Sequence, residues 1–120
     1  MRDIKFRVWN NEYQYFVKPN NFGYMSVMIR LDGKVFQESN IIINEVNTWT
    51  IQQYTGVEDK DGKEIYEGDI LEYRKSVGCV DFIAGIFVCN WLDQTDDVLG
   101  YMIKNDMKVI GNIFENPELY

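Results

Sequence analysis

The sequence predicts a mainly β fold, a single compact domain of short antiparallel strands. Three observations carry that prediction. Apolar and charged residues alternate with period two at the start of the chain, as in a strand with one buried face. Aromatic residues make up 15% of the sequence and Ile and Val are frequent, and both kinds of side chain pack well on a pleated surface. Gly-containing pairs separate several apolar runs, where tight hairpins turn. At 120 residues and 46% hydrophobic, the chain can fill one core. Short strands with Gly turns point to a small barrel or strongly bent sheets.

Each element follows from its residues. Ile4, Phe6 and Val8 alternate with Lys5, Arg7 and Trp9, giving the first strand. Tyr13 to Lys18 is a short aromatic strand stopped by Pro19 and the turn-forming pair Asn20-Asn21. Tyr24 to Leu31 and Lys34 to Gln37 flank Asp32-Gly33, a hairpin signal because Gly takes positive φ readily. Ile41 to Ile43 and Thr48 to Gln53 are two further extended runs. Ile65-Tyr66 and Asp69 to Arg74 are strands broken by Gly68. CVDFIAGIFVCN, from Cys79 to Asn90, is a hairpin turning at Ala84-Gly85, a register that pairs Val80 with Cys89 and Phe82 with Phe87. Asp93 to Asp97 is an acidic loop, Tyr101 to Ile103 a strand candidate and Val109 to Ile113 the last strand, followed by a turn at Asn116-Pro117. No internal repeat or low-complexity linker divides the chain. Residues 1–52 read as an N-terminal β subregion and residues 53–120 as a C-terminal small-barrel subregion of one domain.

Several chemistries are excluded or disfavoured. With no His and two Cys, a Ser-His or Cys-His nucleophile is impossible and a zinc site has too few ligands. Cys79 and Cys89 read as free buried thiols without a basic activator in their own strand. No apolar run approaches the roughly 20 residues that cross a bilayer, and MRDIKFRVWN alternates where a signal peptide is continuously apolar. A cytoplasmic protein without cofactor, metal or membrane association is expected.

The stretch QYTGVEDKDGKEIYEGDIL, Gln53 to Leu71, concentrates the candidate functional residues. Asp59, Asp61 and Gly62 resemble the middle of a calcium loop, but aligning Gly62 with that loop's glycine puts Val57 and Gly68 where carboxylates are required. Phosphate-binding glycine loops fail on spacing. Asp59 to Lys63 therefore reads as a hairpin tip, with Asp side chains bonding nearby amides. Glu64, Glu67 and Asp69 could in principle act as paired acid and base, but exposed carboxylates at strand ends are common. Tyr54, Tyr66 and Tyr73 could stack on bases, yet the acids around them repel phosphate, and core packing is the simpler reading. Trp9, Trp49 and Trp91 read as core or subunit-contact residues.

Charge is unevenly distributed. Met1 to Phe36 carries six Lys or Arg against three acids, whereas the remainder carries six against sixteen, for a net charge of -7. The excess of acid opposes generic phosphate binding. Arg2, Lys5, Arg7 and Trp9 form a candidate basic face, and solubilising charge on solvated strand faces is its plainer explanation.

Three blocks together resemble the YopX family of phage and prophage proteins: MRDIKFRVWN, the central QYTGVEDKDGKEIYEGDIL, and VIGNIFENPEL from Val109 to Leu119. They lie at the beginning, middle and end of the chain. The central block is the most specific, through Tyr54-Thr55-Gly56, Asp61-Gly62, Ile65-Tyr66 and Glu67-Gly68-Asp69-Ile70. The resemblance implies a small cytoplasmic protein of viruses and integrated prophages of Gram-positive bacteria. It also implies a β-rich architecture with a small SH3-like barrel, and it brings no established activity and no assigned catalytic or ligand residue. Within that motif Gly56, Gly62 and Gly68 are expected to supply turns alongside Asp61, Ile65 and Ile70 to point inward, and Asp69 to fix a strand entry through its carboxylate.

The functional expectation is a non-enzymatic phage accessory protein, a protein-interaction module that self-associates. Its candidate interaction surface is Tyr54, Tyr66, Glu67 and Asp69. Two other readings stand beside it: nucleic-acid binding through the basic N-terminal face, and an acidic surface that imitates nucleic acid and occupies a host protein.

Overall fold

A computed structural model describes residues 3–17, 25–39, 42–45, 49–93, 97–98 and 106–120. The fold is mainly β, and its described strand pairings are antiparallel. The chain divides into two compact units: residues 7–51, and Met1–Phe6 with Gln52–Tyr120.

In the smaller unit β1 (Phe6–Asn10) pairs with β2 (Tyr15–Phe16), setting Trp9 opposite Phe16. The turn between them is held by Asn10, whose Oδ1 accepts the amides of Glu12 and Tyr13. β3 (Met25–Ile29), β4 (Val35–Ser39) and β5 (Ile42–Glu45) form a three-stranded meander. The predicted Asp-Gly hairpin joins the first two, with Gly33 at φ 85° and its amide on the Arg30 carbonyl.

β6 (Trp49–Glu58) starts in this unit and continues into the larger one, where it pairs with β7 (Glu64–Tyr66). The run predicted to end at Gln53 is extended because Gly56, expected at a turn, lies inside the strand at a register irregularity between Tyr54 and Glu58. Thr55 holds the irregularity by accepting the Val57 amide and donating to the Ile65 carbonyl.

β8 (Asp69–Tyr73), β9 (Ser76–Ile83), β10 (Ile86–Trp91), β11 (Asp97–Val98) and β12 (Met107–Asn112) make a five-stranded sheet in the order β11-β10-β9-β8-β12. One antiparallel sheet of the fold forms a half-barrel. The β9–β10 register is the predicted one, with Val80 opposite Cys89 and Phe82 opposite Phe87 about the Ala84-Gly85 turn. One core serves the unit: Ile65, Leu71, Val80, Cys89, Trp91, Met107 and Val109. Gly78 lets Trp91 lie against the β9 backbone, since a Cβ there would meet the indole at 2.7 Å and the Cys89 sulfur at 2.6 Å. A short 3-10 helix, Pro117–Leu119, follows β12. The strand candidate Tyr101 to Ile103 and the Pro19-Asn20-Asn21 turn lie outside the described residues.

The alternation expected in the first strand is corrected. Ile4 and Phe6, placed on its buried face, are 63% and 46% exposed. Trp9, set by alternation on the opposite face with Lys5 and Arg7, is buried, in keeping with its reading as a core residue. Alternation fixes which residues share a face but not which neighbours cover it.

Candidate functional site

In the larger unit the polarity of the central block is built into packing. Asp59 closes the β6–β7 hairpin tip: one carboxylate oxygen accepts the amides of Asp61 and Lys63, both at 2.9 Å. The other oxygen accepts the Val109 amide at 3.0 Å, tying the tip to β12. Asp59, not Asp61, makes these bonds, and it is buried while Asp61 remains exposed at the tip. Burial by itself raises the Asp59 pKa, but the amides of Val109, Lys63 and Asp61 outweigh it and hold the carboxyl below its ordinary 3.8.

A second polar cluster joins the central and closing blocks. Asp69 accepts the Tyr66 amide at 2.8 Å, which fixes the entry to β8 as the sequence predicted. Its other oxygen accepts Asn112 Nδ2 at 3.1 Å, and the same amide group donates to Gln52 Oε1 at 3.2 Å. Asn112 also caps the terminal turn: its Oδ1 accepts the Phe114 amide, and its own backbone amide donates to Asn116 Oδ1. Gln52, Asp69 and Asn112 are all buried. Gly68 sits against this cluster at φ 81°, and a Cβ there would lie 2.2 Å from Gln52 Nε2. Only glycine meets both demands without rearrangement.

These bonds correct the candidate interaction surface. Tyr54 is buried, with its ring 5.5 Å from that of Tyr66, and Asp69 is 1% exposed. Burial first, then the nearby Glu64 and Glu58, push the Tyr54 hydroxyl above its usual pKa. Tyr66 and Glu67 are half-buried, and Glu67 accepts the Gln53 amide at 3.0 Å. Burial, opposed by that bond and reinforced by Asp81, raises the Glu67 carboxyl above its usual value. Glu64 pairs with Lys5 and accepts from the Tyr66 hydroxyl. The three carboxylates weighed for acid and base work, Glu64, Glu67 and Asp69, are thus each engaged by structural partners.

Of the candidate basic face, Trp9 is buried and the described cations have partners. Lys5 is engaged by Glu64, whose hydrogen bond is the main cause raising its ammonium pKa. Arg7 lies over the Phe16 ring at 4.5 Å, and Trp9 packs edge-on against the same ring, buried and unable to stack on a base. Arg2 lies outside the described residues. Cys79 and Cys89 are free thiols, and burial, with Asp81 and Asp69 nearby, pushes Cys79 up to about 11. Among the described residues no three Cys, Asp or Glu are grouped as metal ligands. Among the described residues no helix is long and apolar enough to cross a membrane.

The surface that sequence reasoning missed is the tip of the β9–β10 hairpin. Phe82, Ile83 and Ile86 are 47%, 45% and 46% exposed. Ile83 is opposite Ile86 on one face, while Phe82 contacts Phe87 on the other with ring centroids 4.8 Å apart. A signal was available in the sequence. Phe82-Ile83 and Ile86-Phe87 are contiguous apolar pairs across the turn, so alternation lapses where one face should be polar.

A mainly β fold with one half-barrel sheet, and with buried Asp and Asn hydrogen bonds joining its central and terminal motifs, defines the structural class. Within that class the chain belongs to the YopX protein family, whose model matches residues 5–120. Protein EF1440 from Enterococcus faecalis is similar over 99% of both chains, with 26% identity and a TM-score of 0.65. Protein yopX from Bacillus subtilis shares the fold over 100% of this chain and 99% of its own, with 22% identity and a TM-score of 0.64. No curated protein matches the sequence.

Proposed function

We propose that this YopX family member is a non-enzymatic protein-interaction module, acting in the bacterial cytoplasm as a phage or prophage accessory protein. The observation that carries the reading is a division of labour within the larger unit. Asp59, Glu67, Asp69 and Asn112 are engaged internally, whereas Phe82, Ile83 and Ile86 stand exposed on a hairpin. Exposed aromatic and aliphatic residues grouped on one element are what interface centres are made of. The engagement of Lys5 by Glu64 and the burial of Trp9 weigh against nucleic-acid binding through the N-terminal face.

Affinity capture of the tagged protein from bacterial host lysate, with and without nuclease and read by mass spectrometry, tests the reading. A protein partner retained after nuclease treatment is the expected result. Recovery of nucleic acid alone, or loss of every partner on nuclease treatment, would transfer the function to nucleic-acid binding.

A further inference from the structure

The hairpin tip also carries information about its partner. From Ser76 to Asp93 the chain holds two acids, Asp81 and Asp93, and no Lys or Arg. Asp81 is exposed directly beside Phe82 and is held in place, its Oδ1 accepting the Phe82 amide at 2.8 Å and its Oδ2 facing Asn90 Nδ2 at 3.4 Å. The bias extends to the whole unit. Met1–Phe6 with Gln52–Tyr120 carries eight Lys or Arg and fifteen acids, whereas Arg7–Ile51 carries four of each. The net charge of -7 therefore belongs entirely to the unit that bears the apolar tip.

We propose that the β9–β10 tip, Phe82, Ile83 and Ile86 with Asp81 at its margin, docks into a protein surface that is apolar at its centre and basic at its rim. This rests on the interaction-module reading and adds the chemistry of the partner. Charge selects that occupant over two others. A second copy meeting tip to tip would bring like-charged units together, and an anionic membrane leaflet would repel the same acids. A basic rim instead steers the encounter, while the three apolar side chains leave water at the centre.

The test uses fluorescence anisotropy with a labelled amphipathic Leu/Lys peptide as probe, its Leu/Glu counterpart, and phosphatidylcholine vesicles. The full-length protein is compared with Ile83→Ser/Ile86→Ser and with Asp81→Asn, each first checked for an unchanged thermal melt. The wild type is expected to bind the Leu/Lys peptide and to ignore the Leu/Glu peptide and the vesicles. Ile83→Ser/Ile86→Ser should weaken binding about tenfold or more, and Asp81→Asn about twofold to threefold. Raising salt from about 50 mM to about 500 mM should weaken it further. Equal binding by wild type and Ile83→Ser/Ile86→Ser, equal affinity for the Leu/Glu peptide, or partition into vesicles would overturn the proposal. So would a self-associating wild type whose dimer the serine variant abolishes. A nuclease-resistant lysate partner captured equally by wild type and serine variant would leave the module reading standing and remove the tip from it.

Discussion

Asp59 accepts three backbone amides from two segments, one of them 50 residues further along the chain. A buried carboxylate without such donors would be driven toward its neutral form. Here the amides prevail and the carboxyl is held below 3.8. The sign of its contribution follows: ionised Asp59 stabilises the fold fully above the ordinary carboxylate range, and that stabilisation is lost as pH falls through the depressed folded-state value. Asp59→Asn is expected to cost about 2 kcal/mol at neutral pH. Urea titrations of both proteins should show their midpoints converging in acid, and a constant separation down to strongly acidic pH would contradict this account.

Among the elements, two tight hairpins of the larger unit solve the same turn differently. Ala84 and Gly85 lie at φ 52° and 81°, and Arg74 and Lys75 at 47° and 72°. Both central residues of such a turn require positive φ, which Asn-Gly and related pairs adopt with little strain and a Lys does not. Lys75→Gly should therefore stabilise the protein by about 0.5–1 kcal/mol, the usual scale of a left-handed residue replaced by glycine. Arg74 also lies over Tyr73 and pairs with Asp106 at 3.3 Å, so the substitution is made at Lys75 alone. Chemical denaturation is the measurement, and an unchanged or lowered midpoint would show that the turn carries no strain.

For the whole molecule, net charge sets how copies meet. Each copy carries -7, so the self-association expected from the sequence is opposed at low ionic strength and relieved by screening, whose range shrinks to about 3 Å at molar salt. Light scattering across a salt series should show monomer giving way to a larger species as salt rises. A monomer mass throughout, at concentrations well above those in a cell, would eliminate the self-association. Within the larger unit the same surplus of acid opposes phosphate ligands.

The sequence determined what depends on near neighbours. Alternation and turn chemistry act over a few residues, which is why the Asp32-Gly33 hairpin, the Val80–Cys89 register and the carboxylate at the start of β8 were legible. The family was legible for a related reason, since its motif is a set of turn and strand-entry residues at fixed spacing. Tertiary structure decided burial and partnership. Ile4 and Phe6 are exposed although they alternate like core residues, and Tyr54 and Asp69, which the sequence offered both as packing or strand-entry residues and as an interaction surface, are buried. Asn112 finds Gln52 60 residues away, and Asp59 finds Val109 across the same unit. Local spacing carries no record of such encounters, because the free energy of a buried hydrogen bond or an exposed apolar tip depends on which segment, if any, the folded chain lays against it.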